Sequence, residues 1–549
     1  MKEDNMAGLP HLTNEIVADA HGHLLDAYAI SLEGWRRGLT LRWHIKDSEK
    51  FSEMETWFVD RPGQLFSLSS EQKTHYFFRT RGDKVTNEAV RIGKDKEKTK
   101  QLLHEAGIPV PEGKQFTEEA SNEEIVTYAS SLGLPVVIKP TDGSFGRGVV
   151  SNITSTGELT YSLEYVRTEL NEPDVIVEQY IPGDDVRLYV VGDQVVGAIK
   201  RLPPNIIGDG VNSIKALIEL KNEQRSLNPR LVSCPIDVTN EVIDMIGRKG
   251  YTLETVLDQG EQLFLSTKGN ISIGGDPIDV LDELPAEVKE MAVDALQAIP
   301  GLEHGAVDFI INTDKEAAHQ AVVLEINPTA QLGGILYPIK GKARDVPAAI
   351  IDHYFPETYE KQFTKSNTYF DLHDVLEPLR FRDAETTTVT PSPEGKIYAK
   401  KYTVIGDVQN IGYHRGLRKQ AFERHLHGFV MNLENGDIEV VVGGTDPEMV
   451  DDFKQALWED EERSHVLEVQ ESDYDAPIKV GFEVKTDLKI QLEELKRYKQ
   501  ELEQTEFELR KAEVRRRKLQ KSFSWKVSKP IRVIGSLFKN SNEHEKRML

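Results

Sequence analysis

Residues 134–150 read LPVVIKPTDGSFGRGVV, and the rest of the chain is best interpreted around them. An apolar run ends at Lys139-Pro140. A loop with Gly143, Ser144, Gly146 and Gly148 follows, and Val149-Val150 resumes an extended pattern. Glycines let a backbone fold tightly over phosphate oxygens and present its N–H groups to them. No GxxxxGK[ST] occurs in the chain, so the loop does not open a Walker-type helix and reads as a flap between two strands. Taken alone, the same residues would also make an ordinary hairpin turn.

The flanking segments decide between these readings. Upstream, GKDKEKTKQLLHEAGIPVPEG (93–113) is a lysine-rich helix start with a Gly-Ile-Pro-Val-Pro exit. Downstream, VIVEQYIPGDDVRLYVV (175–191) reads as strand, turn and strand. GAVDFII (305–311) and VVLEINPTAQLGG (322–334) read as two adjacent strands and a loop. Strand residues two apart share a face, so Glu325 and Asn327 project together and Asp308 can meet them from the neighbouring strand. Three oxygen donors on one face suit Mg²⁺, which takes one or two carboxylates plus substrate phosphates.

With these segments in this order, the chain resembles the ATP-grasp superfamily over about residues 95–355. KRLPPNIIGDGVNSIKALIE (200–219), RKGYTLETVLDQGEQLFL (248–265) and NISIGGDPIDV (270–280) resemble the cyanophycin synthetase and bifunctional glutathione synthetase branch. Residues 1–94, with ISLEGWRRGL at 30–39, resemble the small α/β domain that precedes such folds. The resemblance implies that Lys96 and Lys139 hold the α- and β-phosphates of ATP, with Gly143, Ser144, Gly146 and Gly148 above them. It implies adenine contacts from Glu178 and the backbone through Ile181, a ribose contact from Asp185, and magnesium ligation by Asp308, Glu325 and Asn327. Lys200, Arg187 and Arg201 fall where γ-phosphate or acyl-phosphate contacts are expected. The implied cofactors are ATP and Mg²⁺, with Mn²⁺ as a substitute ion. The implied reaction phosphorylates a carboxylate and lets an amine displace phosphate to form an amide. Positioning and charge neutralisation carry such chemistry, and no Ser-His-Asp or Cys-His nucleophile is required.

A Thr-, Pro- and Glu-rich stretch, RDAETTTVTPSPEG (382–395), places a linker over 356–395. Residues 396–485 resemble the acylphosphatase domain through VIGDVQNIGYH (404–414) and HGFVMNLENGDIEVVVGG (427–444). The family's phosphate-binding arginine falls on His414, and its water-orienting asparagine is kept as Asn432. Arg415 is next door, but a neighbouring position points elsewhere, and an imidazole is a poor replacement for a bidentate guanidinium. A binding or packing module is therefore expected of this domain, with acyl-phosphate hydrolysis through it, or a nucleotide-binding scaffold role for the whole chain, as the alternatives.

Leu488, Leu495, Leu502 and Leu509 fall seven apart, so residues 486–521 read as a coiled coil that would make a homo-oligomer, or as one long solvated helix. The tail, 522–549, includes SFSWKVSKPIRVIGSLFK (522–539), in which Phe523, Trp525, Leu537 and Phe538 alternate with lysines. Such a segment suits adsorption to an anionic membrane surface. It also resembles a short Ser-x-Ser-Trp segment at the ends of bacterial envelope-polysaccharide enzymes.

Composition bounds the rest. The 549 residues carry a net charge of −24. Residues 510–549 hold 13 Lys/Arg against 3 Asp/Glu, so the body is more acidic still. That argues against a nucleic-acid partner, which would be bound by neutralising phosphates. The single cysteine, Cys234, excludes an internal disulfide framework and a thiolate zinc site. Apolar runs are too short to span a bilayer, and MKEDNMAGLPHLTNE lacks a secretory core, so a cytoplasmic protein, peripheral at the inner membrane face, is expected. The expected class is therefore multidomain α/β and α+β: an ATP-grasp fold, a ferredoxin-like acylphosphatase-type sandwich and a C-terminal helix. Its expected substrates are small molecules or peptides with a carboxylate and an amine.

Overall fold

A computed structural model describes residues 8–141, 148–312, 321–363, 366–409, 412–433, 435–458 and 465–485, together with Leu495, Thr505 and Leu509. The chain divides into two compact units, Met1–Pro111 with Ile181–Val484 and Glu112–Tyr180 with Lys485–Leu549.

In the first unit, the N-terminal part is a helix, His23–Arg36, packed on a five-stranded sheet. The helix is buried on every side from Leu25 to Arg36, as expected of one enclosed within a core. The sheet runs Thr386–Thr388, Thr40–His44, Leu65–Ser69, Thr74–Phe78 and Arg81–Gly82. Its edge strand corrects the linker expected over 356–395. Thr386–Thr388 pairs antiparallel with Thr40–His44, Tyr28 Oη donates to the Phe370 carbonyl at 3.0 Å, and Trp35 Nε1 donates to that of Thr390 at 2.6 Å. Threonine runs are β-branched and suit an edge strand. Half-exposed edges share their polar composition with linkers, and pairing to a strand some 345 residues earlier leaves no local signal.

The central sheet of this unit is antiparallel, in the order Asp276–Asp279, Gln194–Leu202, Asp184–Val191, His304–Ile311 and Ala321–Asn327. The helix Ala286–Gln297 closes one face through Val288, Ala292 and Leu296, packed with Val186, Leu188, Phe309 and Val323. The helices His23–Arg36 and Val346–Tyr354 cover part of the other face, over Tyr189, Ile199 and Ala306. Residues 205–265 contribute a small cluster of their own around Ile206, Leu217 and Leu263.

From Tyr398 to Lys485 the chain forms a βαββαβ sandwich. Its sheet is ordered His465–Asp473, Tyr398–Asp407, Ile438–Gly444, His427–Asn432 and Phe482–Lys485, and the helices Tyr413–Glu423 and Pro447–Ala456 join its core. This is the ferredoxin-like arrangement expected of the segment.

The second unit holds a four-stranded antiparallel sheet, Gly113–Phe116, Val175–Gln179, Val136–Pro140 and Val150–Ile153. Helices Asn122–Leu132 and Thr156–Glu164 complete its core through Ile125, Ala129 and Leu159. Gly143, Ser144 and Gly146 lie outside the described residues, as do the tail and most of the expected coiled coil. Leu495, Thr505 and Leu509 are helical and exposed.

Candidate active site

One β-bulge organises the candidate metal face. Asp308 sits opposite Glu325 and Phe309 opposite Val323, leaving Leu324 as the extra residue. Without it, Val323, Glu325 and Asn327 would share one face by simple alternation. Instead Val323 and Ile326 both enter the core under the helix Ala286–Gln297, while Glu325 turns to the side of Asp308. A bulge that re-aims a side chain is a recurrent device beside active sites. Asn327 Nδ2 donates to Glu325 Oε1 at 3.0 Å.

Two guanidiniums converge on the same face. Arg187 lies opposite Asp308 in the register and donates Nε and Nη2 to its two carboxylate oxygens at 2.7 and 2.8 Å. Arg201 Nη2 reaches Asp308 Oδ2 at 3.0 Å and Asp185 Oδ1 at 2.5 Å. Burial opposes ionisation of Asp308, and Arg187 with Arg201 outweighs it, so its carboxyl is held well below the usual carboxylate range. Asp185 is shifted the other way. Burial raises it, against the pull of Arg201.

The sequence groups Lys200 with Arg187 and Arg201; the structure separates them. Lys200 pairs across from Val186, which belongs to the opposite core, and its Nζ meets Asp184 Oδ2 at 2.7 Å. Strand alternation made this legible, since Lys200 and Arg201 are adjacent residues of one strand. Sequence reading passed over Asp184 for Asp185, although both are acidic residues at the same turn.

Lys96 opens the helix Lys96–Glu105, which Asp95 caps by accepting from the Lys98 N–H. Gly93 brings this segment against the end of the Ala321–Asn327 strand: a Cβ there would stand 2.7 Å from Pro328 Cδ and 3.2 Å from the Ile326 carbonyl. Within the second unit, Lys139 Nζ meets Glu178 Oε2 at 2.6 Å. Their strands pair with Val137 opposite Glu178 and Lys139 opposite Ile176, so both side chains leave the apolar core behind them. Gly148, the described end of the loop, adopts φ +72°, which glycine accepts without strain. Ile181 lies three residues before the strand Asp184–Val191.

In the βαββαβ sandwich, His414 is the second residue of the helix Tyr413–Glu423, and Asn432 ends the strand His427–Asn432. Burial pushes the His414 imidazole below its ordinary value. His414 Nε2 and Asn432 Oδ1 are buried without a hydrogen-bond partner among the described residues, and Arg415 is exposed. Gln409 ties the preceding loop to the next hairpin by donating to the Asp437 carbonyl at 2.9 Å.

Residues 93–207 match the RimK-like ATP-grasp domain family. Residues 400–484 match the acylphosphatase family. The chain therefore carries an ATP-grasp domain fused to an acylphosphatase-like domain. Cyanophycin synthetase of Crocosphaera subtropica is 34% identical to it over 274 residues, which is 49% of this chain and 31% of that protein. The glutathione biosynthesis bifunctional protein GshAB of Desulfotalea psychrophila is 28% identical over 300 residues, 54% of this chain and 38% of that protein. A solved bifunctional glutathione synthetase from Pasteurella multocida shares 27% identity over 54% of this chain and 41% of its own, at a TM-score of 0.43. The chain spans only 31% to 38% of the length of these curated relatives.

Proposed function

We propose that this protein is an ATP- and Mg²⁺-dependent carboxylate–amine ligase that joins amino acid or peptide substrates through an acyl phosphate. The observation that carries the reading is the face on which a bulge unites Asp308, Glu325 and Asn327 with the Arg187 and Arg201 guanidiniums. The donor set, two carboxylates and an amide oxygen, fits a hard divalent cation. Glu325 and Asn327 would hold it, with Asp308 completing the set. Such an ion supplies charge neutralisation for the transferred phosphoryl group.

The chain's own residues do the rest. Arg187 and Arg201, aligned by Asp308, present fork-shaped donors to developing phosphoryl and acyl-phosphate oxygens. Lys96 of the first unit is assigned to the phosphates, and so are Lys139 and the loop residues Gly143, Ser144, Gly146 and Gly148 of the second. Glu178 and the backbone through Ile181 receive adenine, and Asp185 receives the ribose. Lys200, on the far face, has no part in this assignment.

The test is Glu325→Gln in the full chain. ADP formation should fall at least about 100-fold with unchanged thermal stability. Undiminished turnover, or AMP as the product, refutes the reading.

The match of residues 400–484 to the acylphosphatase family favours a second activity, acyl-phosphate hydrolysis. His414 in the arginine position counts against it, and we assign the domain a binding or packing role. Among the described residues no helix is long and apolar enough to cross a membrane. A place at the inner membrane face, in envelope-polymer synthesis, rests on the basic aromatic tail.

A further inference from the structure

Between the central sheet and the 205–265 insertion lies a group of buried cations with too few anions. Lys221 Nζ and Arg225 Nη1 both converge on Asp276, at 2.5 and 2.7 Å. Arg230 joins them without a carboxylate of its own. It is 6% exposed, and no carboxylate lies within ion-pair distance of it among the described residues. Its Nη1 donates to the Cys234 thiol at 2.9 Å and its Nη2 to Gln331 Oε1 at 3.1 Å, and among the described residues its Nε makes no side-chain hydrogen bond. Buried guanidiniums are ordinarily paired with an anion or saturated by carbonyls. Arg81 shows the usual solution, giving its donors to the Val85 and Glu55 carbonyls and to Asn87. A thiol and one amide oxygen are weak compensation.

The location gives the deficit a meaning. Asn228 fixes the turn by accepting the Arg230 N–H at 2.9 Å and donating to the Tyr337 carbonyl at 3.1 Å. The Arg230 stem lies on Gly333, where a Cβ would stand 2.4 Å from its Cδ. Gly334 in turn packs on Ile199, which sits directly across the strand pair from Arg187. Gln331 belongs to the loop that follows Asn327, and its Nε2 also reaches His23 Nδ1 at 3.2 Å. The guanidinium thus borders the Gly333–Gly334 segment, which also packs on the cross-strand partner of Arg187.

We propose that Arg230, oriented by Gln331, binds the non-reacting carboxylate of an amino acid or peptide substrate. This rests on the ligase reading above. A carboxylate would meet the fork of donors that the thiol and amide now occupy, and bring the cluster towards neutrality. Arg230 thereby selects substrates with a free carboxylate over their carboxamides.

The experiment uses the full chain with Mg²⁺. A fluorescent ATP analogue reports nucleotide affinity. Phosphate release is measured for the twenty L-amino acids, singly and in pairs, each supplied as free acid and as carboxamide. Free acids should be preferred, and Arg230→Met should raise their KM about 10- to 100-fold and erase the preference, with nucleotide affinity unchanged. Arg230→Lys keeps stem and charge and should restore part of the KM. Gln331→Ala, which leaves the backbone alone, should raise KM more modestly. If acids and amides serve equally, or if KM holds in Arg230→Lys and Gln331→Ala proteins melting at the wild-type temperature, this assignment is overturned and the ligase reading stands. If Mg²⁺ and the ATP analogue do not bind at all, the ligase reading falls and takes the assignment with it.

Discussion

Replacing Asp308 by asparagine removes a carboxylate that pairs with both Arg187 and Arg201 on the proposed metal face. Asp308 is 1% exposed and accepts from Arg187 at 2.7 and 2.8 Å and from Arg201 at 3.0 Å. Asparagine preserves the shape but brings its own N–H donors to face a guanidinium. Breaking a buried ion pair from one side costs about 3–5 kcal/mol, because the remaining charge is uncompensated. The lower end applies here, since Arg201 keeps Asp185 and the Arg187 and Arg201 side chains retain 18% and 15% of their exposure. At about 2–4 °C per kcal/mol for a domain of this size, melting should drop by about 6–12 °C.

The assay is calorimetry of the full chain. A multidomain protein will not melt in one step, so the transition to follow is the one that Mg²⁺ and a non-hydrolysable ATP analogue raise. Arg187→Met in the Asp308→Asn background should recover part of the loss, because it removes a charge left without a partner. A drop below about 2 °C, or a double variant no more stable than the single one, would show that the fork is not what holds this face together. The acid limb gives the same information. Asp308 titrates below its unfolded value, so its contribution is complete above about pH 4 and is lost only as pH falls far below that. Asp308→Asn should flatten that limb.

His414→Arg in the full chain should raise acyl-phosphate hydrolysis, by supplying the guanidinium fork that the imidazole lacks. Brisk hydrolysis by the unmodified chain would show that another residue, such as Arg415, does that work. His304 is buried between Tyr189 and Tyr354, and burial drives its imidazole down to about 3. The unfolded chain takes up that proton near pH 6.5, so stability should fall with pH from there towards 3. His304→Asn should weaken this dependence, as seen in melting temperature against pH. An identical slope in the variant would place the acid sensitivity elsewhere, His44 being the next candidate.

Local pattern alone was enough for several features. The lysine-ended strand, its return strand and the shared face of Glu325 and Asn327 are written in short-range alternation, which a strand displays wherever it is placed, whereas the βαββαβ module was legible through its resemblance to the acylphosphatase domain. The placing of His414 and Asn432 came from the same resemblance. Three features needed the tertiary structure. Plain alternation would have put Val323 beside Glu325; only the register against His304–Ile311 shows that Leu324 is extra and that the phase flips. Thr386–Thr388 looks like linker until Thr40–His44, far away in sequence, lends it hydrogen-bond partners. Arg230, in an unremarkable Asn-Pro-Arg turn, looks like a solvated surface arginine in sequence. Its want of a carboxylate appears only when the insertion folds down on Gly333, because whether a charge is buried and paired depends on what the rest of the chain brings to it.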